Sequence, residues 1–410
     1  MKYLSSKLRA STVITGIATF CLLNGQVFAS GFRIPELSIA GLGTANALVA
    51  NTTEVGALAY NPAGMAFHND QQVTAGLVNI NLDLRATPTG GTNTKSTGES
   101  SFLVPNLYYM SRLNERWTWG VALNAPFGLE TKWPKDTFPG FTGALDGAEP
   151  ALSKIEMLNL NPNIAYQIDK NSSFSFGVDY YDVRKVNLNT QSSVISGSGH
   201  KYGWNISFIQ KAGDLQFGFS YHDAIKVPLK GTLGTTPVAT EVEFPAMAQF
   251  GVVYQATQRL ALEFDVDKTD WSSYDNIQIR SAASNATLAT STSNWEDSTA
   301  YRLSGIYKLT DKTKLFFGYS KDNTPQTGPF RFSARLPDAD RQLYSVGVQH
   351  AFGVWTLEAA YMYINIDSKT VNSSTSFGTY GTDANGTVLY NGVYDTKINL
   401  FGLGINYAFR

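Results

Sequence analysis

Beyond residue 29, no stretch of this chain approaches the roughly 18 consecutive apolar residues that a membrane-crossing helix requires, yet from about residue 73 apolar side chains recur at every second position. A period of two is the signature of half-buried strands. Leu215, Phe217, Phe219 and Tyr221 share one face, with Gln216, Gly218, Ser220 and His222 on the other. Phe174, Phe176, Val178 and Tyr180 repeat the pattern, and Phe401, Leu403, Ile405, Tyr407 and Phe409 close the chain with it. A soluble sandwich also alternates, so the period leaves a soluble periplasmic protein and an outer-membrane β-barrel both open.

The N-terminus argues for export. Lys2, Lys7 and Arg9 precede the mostly apolar run 11–23, and Val27-Phe28-Ala29 forms a small-residue cleavage site. Residues 1–29 therefore read as a signal peptide and Ser30 as the mature start. Cleavage removes those three basic residues and no acidic one, so the formal charge moves from −1 to −4. With no basic excess, nucleic acid is not an expected partner. The only cysteine, Cys21, leaves with the signal, which excludes disulfides, thiol catalysis and thiolate metal sites from the mature chain. Only 16% of residues are charged, against roughly 25% in soluble domains.

Fourteen alternating segments can be counted, near 73–85, 101–113, 117–131, 154–168, 173–190, 200–211, 214–232, 240–256, 259–281, 297–310, 313–324, 338–352, 354–371 and 393–409. Their connections alternate in length. Asn114-Glu115-Arg116, Ala212-Gly213 and Gly353 are short, whereas 86–100, 132–153 and 372–392 are long and polar. An even strand number with short turns on one side and longer loops on the other is the asymmetry of an outer-membrane barrel. Parity then turns Arg302, Ser304, Arg341, Ser345, Gln349, Asp179, Glu263, Asp265 and Asp267 inward, and Tyr301, Leu303, Tyr307, Tyr344, Val346 and Val348 towards lipid. Residues 30–72 are Gly- and Ala-rich, alternate poorly and carry the turn-forming Asn61-Pro62-Ala63-Gly64.

Several short motifs, in order, are similar to the FadL and TodX family of outer-membrane transporters for long-chain fatty acids and other hydrophobic compounds. They are Ser30-Gly31-Phe32, residues 38–43, Asn61-Pro62-Ala63, residues 158–166, Tyr202-Gly203-Trp204-Asn205, Ala300-Tyr301-Arg302 and residues 336–341. The resemblance implies an all-β, 14-stranded antiparallel transmembrane barrel (73–410) in the bacterial outer membrane, with residues 30–72 folded inside it as a plug that includes Gly31, Phe32, Asn61, Pro62, Ala63 and Gly64. It also implies a third strand kinked inward to open a hole in the wall. Asn124-Ala125-Pro126-Phe127-Gly128 lies there, and Pro and Gly can break wall pairing or simply end the strand early in a loop.

The mechanism so implied is passive, with no cofactor. A hydrophobic small molecule is caught outside, reaches an interior pocket near Phe32, and leaves sideways into outer-membrane lipid. Family fatty-acid transporters supply an Arg late in strand five and a Lys before strand ten, where this chain has Gln191 and Ser293. Lys185, Arg302 and Arg341 are candidate substitutes for a carboxylate partner, although Arg302 and Arg341 could equally pair with Glu263, Asp265 or plug carboxylates. Loss of the family cations also admits uncharged aromatic or aliphatic hydrocarbons as substrates. Phe409, one place before the end, resembles the C-terminal aromatic read by barrel-assembly machinery, and the family is usually monomeric.

Two rivals remain. A barrel enzyme needs a nucleophile and base within reach, but His68, His200, His222 and His350 are scattered and no Gly-x-Ser-x-Gly box is present; no catalytic or metal-ligating set is expected. A general diffusion porin would not need the segment before the first strand. Trp117, Trp119, Trp133, Trp271, Tyr361 and Tyr363 could line a substrate route or form interface girdles.

Overall fold

A computed structural model of the chain describes residues 31–378 and 386–409. The signal segment, Ser30 and Arg410 lie outside the described residues. Fourteen antiparallel strands form the wall: β1 (Gln71–Pro88), β2 (Ser101–Arg112), β3 (Trp117–Asn124 and Gly128–Lys132), β4 (Pro150–Gln167), β5 (Ser172–Thr190), β6 (Ile195–Ala212) and β7 (Leu215–His222 and Ile225–Leu233). They continue as β8 (Thr236–Phe244 and Met247–Gln255), β9 (Leu260–Thr269 and Asn276–Ser281), β10 (Thr287–Thr292 and Ser298–Lys308), β11 (Thr313–Asp322), β12 (Arg341–Phe352), β13 (Trp355–Ile366) and β14 (Gly392–Phe409). The sheet closes where β1 pairs with β14 from Gln71–Phe409 to Pro88–Gly392. Closure removes the edges that an open sheet would leave in hydrocarbon, where lipid offers no hydrogen-bond partners.

Parity holds along the wall. Tyr344 and Val346 face outward with Leu303 and Tyr301, while Arg302, Ser304, Ser345, Gln349, Asp179, Glu263, Asp265 and Asp267 are buried in the lumen. The outer ends differ from the sequence expectation. Residues 191–199 and 233–239, read as loops, are mostly strand, leaving only 191–194 and 234–235 as turns. Residues 287–292 add a strand pairing with the end of β9. The extensions at 195–199 and 287–292 are rich in Ser and Thr, whose polar alternation on a solvated strand resembles a loop in composition. On the outer side, Trp133, Phe138, Phe141, Phe332, Tyr390 and Tyr394 pack into an aromatic cap, pinned where Trp133 Nε1 donates to the Ala334 carbonyl at 2.7 Å.

The lumen is filled by residues 31–70. A short helix α1 (Ile39–Gly43) is capped by Ser38, whose Oγ accepts from the Gly41 N–H. Two single turns follow, Val55–Ala59 and Pro62–Phe67. Asn61 organises the second: its Oδ1 accepts from Ala63 N–H at 3.1 Å, and its Nδ2 donates to the Val49, Phe208 and Phe219 carbonyls at 2.7, 3.1 and 3.3 Å. One side chain thus joins two parts of the plug to β6 and β7. Pro62 starts the turn where a missing N–H costs nothing. Ser304 and Ser345 donate to the Ala47 and Gly43 carbonyls, and Asp265 and Glu263 accept from the Val49 and Ala50 N–H groups at 3.0 and 2.7 Å. The fit is tight enough that a Cβ on Gly318 of β11 would fall 2.3 Å from the Thr44 carbonyl carbon.

Asn61→Leu removes all four of these bonds and leaves the buried Val49 carbonyl without its partner, at about 1–3 kcal/mol. The barrel, held by its own ladder, is expected to keep its heat-modifiable mobility, while steady ion conductance in planar bilayers rises as the plug loosens.

Candidate functional site

The plug begins in an aromatic cage. The Phe32 ring lies 4.6 Å from Trp271, 5.2 Å from Tyr274, 5.8 Å from Phe127, 6.0 Å from Trp295 and 6.2 Å from Phe244, centroid to centroid. These spacings are in the favourable range for edge-on aromatic pairs. Gly31 has φ +57°, and a Cβ there would sit 2.7 Å from Trp271, so only glycine carries the chain between the two indoles. A latch fixes it: Gly31 N–H donates to Asp338 Oδ2 at 3.3 Å, Arg341 Nη2 donates to the Gly31 carbonyl at 3.1 Å, and Arg341 and Asp338 pair at 3.1 Å. Burial pushes the Asp338 carboxyl up against the pull of Arg341. Burial also raises the neighbouring Asp340 to about 6.

Directly after Phe32 the plug enters the wall. Between the halves of β3, Ala125-Pro126-Phe127 leave the ladder, and Arg33 bridges Phe127 in antiparallel fashion. Ile34 N–H donates to the Pro126 carbonyl at 2.8 Å and Gly128 N–H to the Phe32 carbonyl at 3.1 Å. The β2–β3 ladder stops at Leu107–Leu123; residues 101–106 have no described partner on that side. The opening is closed above, where Thr97 N–H donates to the Lys132 carbonyl and Glu99 N–H to Glu130 Oε1, both at 2.8 Å. The segment 117–131 is therefore one strand in sequence and two in space, with a bounded window between them.

A cavity of about 710 Å³ runs from the cage to this window, lined among others by Phe32, Ile34, Phe102, Leu103, Pro105 and Phe127. It lies within the size range of ligand sites. A smaller apolar cavity of about 80 Å³, lined by Val186, Leu229, Val242, Ile277, Trp295 and Arg335, sits towards the outer ends of β5 to β10. Leu129, Lys154, Ile155 and Leu336 border both. Beneath the cage the lumen turns polar within one pleat. Asp179 accepts from Asn159 at 2.8 Å and Asn205 at 3.0 Å and pairs with His222 at 2.9 Å. Asp267 binds both Arg33 at 3.3 Å and Arg302 at 3.0 Å.

The residues singled out from sequence fare differently. Phe32 and Arg341 line the larger cavity, and Asn124, Pro126, Phe127 and Gly128 stand at the break. Lys185 is exposed and lines neither cavity. Arg302 is fully buried, and its donors go to Asp267, Asp322, Ser320 and the Ala45 carbonyl. This corrects its expected partners: Glu263 and Asp265 serve plug N–H groups instead, and the guanidinium belongs to an ion-pair network of the lumen. Arg341 likewise pairs with loop residue Asp338, not with those carboxylates. Of the candidate aromatics, Trp117 and Trp119 are exposed on the wall, Trp133 belongs to the cap, and Trp271 is in the cage. Trp295 and Arg335 were not singled out. Their only sequence signal is a position in polar loop stretches, Arg335 directly before the Leu336-Pro337-Asp338 motif.

A family model described as outer membrane protein transport protein (OMPP1/FadL/TodX) matches residues 20–409. The long-chain fatty acid transport protein of Salmonella typhi is 22% identical, covering 95% of this chain and 96% of that protein. The crystal structure of a Pseudomonas aeruginosa FadL homologue superposes with a TM-score of 0.77 at 19% identity, covering 93% of this chain and all of that one, 100%. That of the Pseudomonas putida toluene transporter TodX gives 0.64 at 15% identity, covering 93% and 99%.

Two outcomes follow from the charge geometry. Arg302→Ala takes the buried guanidinium away from Asp322 and leaves Asp267 with Arg33 alone, and is expected to cost about 3–5 kcal/mol, read as a lower urea midpoint for loss of the folded barrel. Folded Asp340 keeps its proton up to about 6 whereas the ordinary carboxyl releases it near 3.8. The folded state therefore binds more protons between those values, and stability declines as pH rises through that window. Asp340→Asn is expected to flatten the slope in thermal melts across it.

Proposed function

The chain belongs to the OMPP1/FadL/TodX family of outer membrane transport proteins, and from that premise we propose that it carries long-chain fatty acids passively from the cell exterior into the outer membrane, delivering them sideways through the β2–β3 window. The observation that carries this reading is the continuous cavity from the aromatic cage to a gap in the wall. The substrate enters the smaller apolar cavity, displaces the Phe32 segment, and moves through the larger cavity to lipid. Onward travel through the polar layer at Asp179, Asp267 and Arg302 would be costly. About fifteen methylenes at about 0.8 kcal/mol each would lose more than 10 kcal/mol on entering a wet, polar passage, whereas the bilayer leaves that burial intact.

The carboxylate partner we assign is Arg335. Its guanidinium is buried on the edge of the smaller cavity, held by the Asn189 carbonyl at 2.8 Å and Ser153 Oγ at 3.4 Å, and Ser291, Ser293 and Ser333 line the same space. Arg341 lines the larger cavity and donates to the Gly31 carbonyl, so we assign it to the latch. The aromatic cage favours a second reading, an uncharged aromatic hydrocarbon, which needs no cation. The plug occupying the lumen argues against a diffusion porin, and nothing in the transport family suggests an enzyme. We further propose residues 1–29 as the export signal, 30–72 as the mature plug with its last two residues opening β1, a monomeric state supported by the self-closing wall, and Phe409, outward on β14 against Tyr407, as the mark read by barrel-assembly machinery.

Native mass spectrometry with lipid extraction, on protein purified in mild detergent, tests the substrate. A retained fatty acid that is lost in Arg335→Ala but kept in Lys185→Ala supports the assignment. A retained hydrocarbon, or fatty acid indifferent to Arg335→Ala, moves the reading to uncharged substrates.

A further inference from the structure

Resting on the lateral-exit reading, the geometry points to Pro105 as the positioning residue that keeps the window from zipping shut. The β2–β3 ladder runs from Arg112–Thr118 to Leu107–Leu123. Continued in the same register, it would set Pro105 against Ala125, Val104 against Pro126 and Leu103 against Phe127. Nothing in the side chains of β2 opposes that continuation: Phe102 and Val104 are strong strand formers, and such an edge is a template for pairing.

The two lips of the gap are treated differently. The β3 lip is occupied, since Phe32 and Ile34 of the plug take its Gly128 N–H and Pro126 carbonyl. Among the described residues the β2 lip has no such partner. On its other side β2 is paired to β1 without a break from Gln72–Met110 to Asn81–Ser101, with Leu77 opposite Pro105. Antiparallel residues alternate in the direction of their N–H and C=O groups, and proline is tolerated where its nitrogen faces away from a ladder. An unbroken β1–β2 ladder therefore turns the Pro105 nitrogen into the window, where the first bond of the continued ladder would need a donor. The ring also removes one N–H from an edge that borders lipid, beside a Leu103 that is 67% exposed; an unpaired donor there would be costly in hydrocarbon. Pro105 and Pro126 thus stand on opposite lips, each unable to donate. Pro126 bends β3 away, and Pro105 prevents β2 from following it.

The test uses the full-length barrel in detergent and in cells. Pro105→Ala restores the donor, and one added ladder bond shifts the open–closed balance about five-fold. The expected result is slower amide exchange in residues 101–106, read by hydrogen–deuterium mass spectrometry, with a fall of about that size in uptake of radiolabelled oleate. Adding Leu103→Pro moves the missing donor one ladder step along the same lip and is expected to return both readings towards wild type. If Pro105→Ala does not insert, Pro105→Thr offers the same donor with better strand propensity. Unchanged exchange at 101–106 overturns the proposal, whatever uptake does, because a loss of transport would then reflect the packing of the ring. Slower exchange with undiminished uptake upholds the role of Pro105 and instead removes the lateral route.

Discussion

The whole structure depends on one constraint: inside hydrocarbon every backbone N–H and C=O must find a partner within the protein. Twelve of the thirteen neighbouring-strand contacts and the β1–β14 closure meet it by ordinary ladder pairing. The exception is the β2–β3 contact, which ends at Leu107–Leu123 and beyond which the plug takes up the β3 lip through Phe32 and Ile34. The plug is therefore part of the wall at the point where the wall opens. Because Phe32 puts its carbonyl into the break and its ring into the cage, a ligand that displaces the ring also loosens the β3 lip. Two hydrogen bonds at about 1 kcal/mol net each are a small enough hold for a bound hydrophobic molecule to replace.

Charge in the lumen serves the same docking. Asp267 is shared between Arg33 of the plug and Arg302 of the wall, and Glu263 and Asp265 on the same strand accept from plug N–H groups. Three acidic residues at alternate positions of β9 thus all face inward and all hold residues 33–50. The Asp267 ion pairs with Arg33 and Arg302 are stronger than neutral bonds and also fix geometry. Lys314 and Gln349 hold Glu54 in the same manner at 2.6 and 3.0 Å. The plug is anchored by polar contacts along its length, while its first residues are anchored by aromatic packing and the Gly31 latch. That end is where an aromatic cage adds to the polar contacts.

Most of the wall was legible because parity is strict: a residue on a barrel strand faces either lipid or lumen, so Tyr344 and Ser345 could be assigned without any contact information. The outer strand ends were not, because above the membrane both faces meet water and the alternation fades, as at 195–199 and 236–239. The site was legible only in part. Pro126 and Gly128 announce a break in pairing, but that Phe32 and Ile34 fill it depends on contacts across about ninety residues of sequence, which no local pattern carries. Arg302 shows the limit most clearly. Its inward parity was readable, yet whether an inward arginine meets a ligand or a carboxylate depends on Asp322, twenty positions away on the next strand.

The direction of exit follows from the same parity. On β5 the inward residues Tyr181 and Asp179 are one pleat pair apart, and on β4 Met157 is followed by Asn159. The step from apolar cage to polar floor is therefore only about 7 Å along a strand. On a continuous strand that step would be the only path open to a ligand leaving the cage. The break at Ala125-Pro126-Phe127 lies at the same height, because Phe127 packs in the cage while Asn124, at the end of the lower half of β3, is a buried lumen residue. At that level an apolar molecule meets amides and ion pairs below and a hole lined by Leu103 and Phe102 beside it. The wall opens at the one layer where lateral escape preserves the burial that brought the molecule in.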